Sequence, residues 1–279
     1  MNIIRTPILT AVLVGACVVA SAAHAQKSGG GSSTGSTSPA DGVINIDQAK
    51  AMAGSVTAND SAGFPVTITQ PGSYRLTGNL IVPAGFGGIE IVANGDVTLD
   101  LNGFTIAGPV SCTANSAEPT VVCNQAAQTT GVLTGMQSGL VISNGTVSGF
   151  GSGVHAGRDL RVTNVTARSN SIAGISFNTF FAVAVLDRVQ ATLNGVTGVV
   201  CGNGIIINSG FSLNGTASSA GMQSLACTVI DSAFLHNKGF AISGSTQVRG
   251  SRFFGNGAIK GPGVLSTGGN VDAANNTLF

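Results

Sequence analysis

The chain has 279 residues with a formal charge of +1, 41 glycines, no tryptophan and charged side chains at only 8% of positions. So sparse and balanced a charge lacks the phosphate-neutralising surface that nucleic-acid binding needs. Of five cysteines, the four after residue 25 are an even number without a Cys-x-x-Cys or Cys/His cluster, which suggests two disulfides rather than a metal or redox site.

Arg5 precedes an apolar run from Ile8 to Ala23 that closes on Ala23-His24-Ala25, the pattern of a secretory signal peptide over residues 1–25. Val14-Gly15-Ala16-Cys17 also resembles a lipobox, in which Cys17 would carry a lipid anchor. The apolar run continues past Cys17, so simple cleavage is the expectation, with the product periplasmic, extracellular or on the cell surface. No later segment is apolar enough for a transmembrane span. Residues 26–40, nearly all Gly, Ser and Thr, read as a flexible linker. Removal of Arg5 with the signal leaves 11 basic and 11 acidic side chains. They are unevenly placed: residues 140–279 hold eight basic and four acidic groups, which makes that half the seat expected for an anionic partner.

Residues 41–63 are expected to cap the fold, with a short helix from Asp47 to Ala53, Asp47 near its N-cap and Gly54 ending it. Val66-Thr67-Ile68, Ile89-Glu90-Ile91 and Val97 to Leu101 follow at strand spacing, separated by Pro71-Gly72 and Asn94-Gly95 turns. Residues 107–130 interrupt this signal and read as a loop projecting from one side, tied by Cys112 and Cys123.

From residue 140 a repeat recurs. Strand anchors at Ile142, Val162, Leu186, Ile207, Ile230, Val248 and Val271 lie 18 to 24 residues apart, and asparagines 170, 194, 214, 237 and 256 keep the same period. Repeats of this length are stacked turns about 4.8 Å apart, and stacked asparagines suit their corners by bonding to neighbouring amides and tolerating left-handed backbone. The expected fold is all-β: a right-handed parallel β-helix over residues 64–279. No hexapeptide rhythm or Gly-Gly-x-Gly-x-Asp nonapeptide supports the competing solenoids. Cys201 and Cys227 lie about one turn apart, so the pairs expected are Cys112 with Cys123 and Cys201 with Cys227. The segment Val271 to Phe279 looks like a further strand with no cap, so self-association through that end is expected.

The stretch Ile68-Thr69-Gln70-Pro71-Gly72-Ser73-Tyr74-Arg75-Leu76-Thr77-Gly78-Asn79-Leu80, with Val97-Thr98-Leu99-Asp100-Leu101-Asn102-Gly103-Phe104-Thr105-Ile106, resembles the opening turns of uncharacterised bacterial members of the pectate-lyase-like superfamily. The resemblance covers residues 64–279. It implies a fold shared by polysaccharide lyases and hydrolases, autotransporter passengers and phage tailspikes, and leaves the activity to be argued from the site. The Asn-Thr-Asp, Asp-Asp and Gly-His-Gly motifs of polygalacturonase-type hydrolases are absent, as are the clustered carboxylates of calcium-dependent lyases. No cofactor or metal site is expected.

Asp187, Arg188, Asp231 and Arg249 remain as catalytic candidates. The positions after the anchors include Asp187, Asp231, Arg249 and Asp272, which the spacing places on one outward face. Asp187 and Asp231 would then stand two turns, about 9.6 Å, apart, near the upper limit for an inverting acid–base pair. Arg188 is a large residue in a column of small corner residues. The plainer alternative is a solvated charge ladder. His155 and His236 lie more than three turns apart and read as ordinary polar side chains. The expectation is a non-catalytic binding or surface-interaction protein for extracellular polysaccharide; the alternatives are a carbohydrate-active enzyme with an atypical site around Asp187, Arg188, Asp231 and Arg249, and a structural protein associating end to end.

Overall fold

The computed structural model describes residues 42–114, 120–136, 139–177, 183–216 and 218–272. The segments read as signal peptide and linker, Cys17, and the segment beyond Asp272 expected to drive end-to-end association lie outside the described residues.

Short β-branched segments that cannot bury their own apolar side chains coil into a parallel β-solenoid of about eight turns. Each turn lays strand on three faces. The first face begins with Val43–Ile46 and Gly72–Leu76 and ends with Val264–Ser266. The second runs from Leu80–Ile81 to Val271–Asp272, and the third from Val66–Ile68 to Ala258–Lys260. In the later turns single strands such as Thr197–Ile207 pass from the third face into the first without a loop.

Alternation along each strand sends every second side chain inward. On the first face Leu99, Ile142, Val162, Leu186, Ile206, Val229 and Val248 stand in register and are fully buried. On the second, Phe211, Phe234 and Phe253 stack at centroid distances of 4.8 and 5.2 Å. Asp272 occupies the next inward position above Phe253 and is buried, whereas the sequence spacing placed it outward.

The asparagine ladder forms as the repeat implies. Each Nδ2 of Asn170, Asn194, Asn214 and Asn237 donates to the Oδ1 of the next member at 2.9 to 3.0 Å, and the same oxygen accepts the backbone N–H of the preceding asparagine. A second donor on Asn194, Asn214 and Asn237 reaches a strand carbonyl, so these buried amides use all their polar capacity. A parallel ladder runs through Ser209, Ser232, Ser251 and Asn270, each accepting a backbone N–H from the turn before.

The N-terminal end is closed by side chains as well as by the helix Gln48–Ala53, whose N-cap Asp47 accepts from Lys50 N and which buries Ala51. Asp60 accepts from Val56 N and Thr67 N, Thr57 Oγ1 accepts from Thr69 N, and Gln48 Oε1 accepts from Ile81 N. These groups occupy edge amides that would otherwise offer a template for strand pairing. Both disulfides, Cys112–Cys123 and Cys201–Cys227, are present, and the second links neighbouring turns. Such bonds belong to an oxidising environment.

Residues 107–130 contain an antiparallel hairpin, Cys112–Ala114 with Val121–Cys123. Its described residues lie against the solenoid, whereas the sequence suggested a projecting loop. Ala127 N donates to Ser171 Oγ, Val121 N donates to Gly215 O, and Cys123 Sγ lies against Gly195, so the hairpin is laid along the asparagine corner across successive turns. The small residues following Asn170, Asn194 and Asn214 leave room for it.

Candidate functional site

Asp187, Asp231, Arg249 and Asp272 do not form the single outward column that the spacing suggested. Asp187 lies on the outward side of the first face, in register with Ile207, Ile230 and Arg249. Asp231 sits at the corner between the first and second faces, where Asn164, Arg188, Asn208 and Asp231 all adopt left-handed backbone (φ 56°, 53°, 52° and 48°). Asn and Asp tolerate this conformation, and glycine follows at 250. Arg188 thus shares a column with Asp231, and Asp187 does not. The slip has a simple source: Ile205-Ile206-Ile207 and Val229-Ile230 are consecutive apolar residues, so alternation alone cannot fix which one points inward, and a one-residue error reverses the face. The structure points Ile206 and Val229 inward.

Asp187 is engaged locally, 3.2 Å from Arg188 Nη1 and accepting from Asn208 Nδ2 at 3.3 Å. With Arg188 60% exposed, this is a solvated pair of small energetic worth. Arg249 projects outward on the first face and is exposed.

Asp231 borders a groove on the outward side of the second face. One outward row there reads Thr166, Gln190, Gly210, Ala233 and Arg252 in successive turns, and the adjacent row reads Arg168, Thr192, Ser212, Leu235 and Phe254. Gly210 and Ala233 are small, so the sheet is hollowed between two long polar side chains. The resulting open cavity of about 510 Å³ is lined by Gln190, Asn208, Ser212, Asp231, Leu235 and Arg252 among others. Gln190 lays its Oε1 over the Gly210 backbone, in the space a side chain at 210 would take, and the Asp231 carboxylate likewise lies against Gly250. Ser212 Oγ donates to Thr192 Oγ1 at 3.1 Å, which fixes the hydroxyl row. Beneath the corner, the buried serine ladder holds Ser209 and Ser232 in place. Leu235 and Phe254 form an apolar margin, 37% and 44% exposed, with His236 set edge-on to Phe254 at 5.1 Å.

Chemically the groove offers amide, hydroxyl and guanidinium donors, a single carboxylate and an apolar edge. Among the described residues no group of three His, Cys, Asp or Glu side chains is placed to hold a metal ion. Sequence reasoning passed over Gln190 and Arg252. Their signal was the interruption of large outward residues by Gly210 and Ala233, legible only once the register is known.

The sequence reading also set His155 aside. It lies outward on the third face, with Nδ1 2.7 Å from Ser176 Oγ, and burial holds its imidazole below the ordinary histidine pKa. His155 belongs to a different face from the groove.

Comparison of the chain with protein-family models, with curated proteins and with solved structures finds no significant match. Among the described residues no helix is long and apolar enough to cross a membrane.

Proposed function

We propose that this chain is an exported β-helix of the pectate-lyase-like type that binds an extended extracellular polysaccharide, without cleaving it, in the groove on its second face. The observation that carries the reading is the hollow outward row, Gln190-Gly210-Ala233-Arg252, spanning three turn spacings, about 14 Å. A linear, hydroxyl-rich polymer fits such a trough. Gln190, Asn208 and Ser212 suit sugar hydroxyls, Arg252 suits a negatively charged or strongly polar substituent, and Leu235 with Phe254 suits the apolar face of a sugar ring.

Binding is favoured over hydrolysis because acid–base cleavage of a glycoside uses two carboxylates flanking the bond, and Asp231 is the single carboxylate lining the groove. Asp187, the residue the spacing paired with it, faces another side and is held by Arg188 and Asn208.

The test is a polysaccharide panel titrated against the exported chain, with reducing ends and unsaturated products measured in the same samples. Saturable binding without product, weakened at least tenfold in Arg252→Ala, is the expected result. Product release abolished by Asp231→Asn would replace binding with catalysis; no binding across neutral and acidic polysaccharides would remove the proposal.

A further inference from the structure

The register that moves Ile207 and Ile230 out of the core leaves them half-buried on the outward side of the first face. Ile205, Ile207 and Ile230 project from the outward side of the first face beside Val185, with Ile205 39% exposed and Val183, at the entry to the same strand, 53% exposed. Flat sheet faces of a monomer are normally polar outside, and a contiguous apolar patch marks a surface that becomes covered.

One row of the patch carries opposite charges at its two ends, with Arg161, in register with Val185, and Arg188, beside Asp187, lying outside that row. In the row Asp187, Ile207, Ile230, Arg249, an acid stands one turn before the isoleucines and a base one turn after them. Among the described residues the Arg249 guanidinium has no ion-pair partner. Rotating the row by 180° about an axis parallel to the strands, between the turns of Ile207 and Ile230, reverses its order. Ile207 then faces Ile230 of a second copy, and Asp187, which also pairs with Arg188 of its own chain at 3.2 Å, faces Arg249. The neighbouring row obeys the same operation, with Ile205 meeting Thr228 and Val185 meeting Gln247. A partner of unrelated structure has no need of an acid and a base at mirrored distances; a two-fold, isologous interface does.

We propose that the outward first face is a homodimer interface, in which two copies pack face to face with antiparallel solenoid axes, two isoleucine pairs at the centre and an Asp187–Arg249 pair at each end. The interface leaves the groove on the second face open, and the inference does not depend on what that groove binds.

Sedimentation equilibrium on the exported chain tests it, over concentrations up to roughly 100 µM, which captures association of micromolar strength. The wild type is expected to approach twice the monomer mass. D187R places arginine against arginine, and R249D places aspartate against aspartate, so each variant alone should associate at least tenfold more weakly. Mixed in equal amounts they should recover dimer, because every pair across the mixed interface then joins opposite charges. Circular dichroism checks that the substitutions, at half-buried Asp187 and exposed Arg249, leave the fold unchanged. A monomeric wild type throughout the range, variants that dimerise like wild type, or weakened variants that fail to recover on mixing would each overturn the proposal.

Discussion

Replacing Asn214 by Ala probes the force that holds one turn on the next. The side chain is fully buried and makes four hydrogen bonds: Nδ2 donates to Ala191 O at 2.8 Å and to Asn237 Oδ1 at 3.0 Å, while Oδ1 accepts from Asn194 N at 3.1 Å and Asn194 Nδ2 at 2.9 Å. Truncation strands the Asn194 backbone N–H and one hydrogen of its amide where water does not reach. Each buried group left unsatisfied costs about 1–3 kcal/mol, and the Ala191 carbonyl adds to the loss, so about 4 kcal/mol of destabilisation is expected. With an m-value of roughly 2–3 kcal/mol/M, the urea midpoint should fall by roughly 1.5 M in unfolding followed by circular dichroism. Asn256→Ala is the internal control, since Asn256 is only partly buried, makes three bonds and can be rescued by water; its loss should be about half as large. A shift for Asn214→Ala no greater than that for Asn256→Ala would refute the view that buried amide pairing, rather than apolar stacking alone, fixes the turns.

Three further outcomes follow from the same geometry. Asp60→Ala removes the acceptor for Val56 N and Thr67 N (3.0 and 2.7 Å), opens the first strand edge of the third face, and should cost about 3 kcal/mol while raising aggregation measured by light scattering. Phe234→Ala deletes the middle ring of the phenylalanine stack and should cost about 3–5 kcal/mol in the same urea assay, with the larger part expected because both neighbours are fixed by strand pairing. His155 has its pKa lowered by burial, so the unfolded chain takes up a proton that the folded chain resists. The stability it contributes is present above the unfolded value of 6.5 and falls away as pH drops through that value toward the lower folded one. His155→Gln should therefore flatten the stability–pH curve below pH 6.5; an unchanged curve would show that the imidazole is not the group responsible.

The asparagine ladder, the parallel stacking of turns and both cysteine pairs were legible in the sequence because each leaves a residue type at a regular interval. Helix Gln48–Ala53 was legible from Asp47 and Gly54. The outward site was not, and the reason is physical. An inward β-branched column tolerates apolar neighbours, so where Ile206 is flanked by Ile205 and Ile207 the pattern carries no parity, and the outward row slipped by one position. That slip put Asp231 in the column of Asp187 and hid both the groove and the outward isoleucines. The seat of the described hairpin residues was hidden for a different reason: it is made of Ser171, Gly195 and Gly215, small residues already explained by tight corners. The side-chain seal of the N-terminal edges by Asp60, Thr57 and Gln48 depends on long-range contacts that no local pattern announces.

The groove is the centre of the functional account, and it can be filled without touching the core. Ala233 points outward, half-buried, between Gln190 and Arg252, so Ala233→Trp should occupy the trough while the inward Phe234 stack stays intact. The deciding measurement is calorimetric titration of the tightest-binding polysaccharide from the panel into wild type and Ala233→Trp, with the thermal unfolding of both recorded alongside. Binding lost in a variant that unfolds like wild type is the predicted result; binding of unchanged affinity would show that the polymer does not lie in this groove.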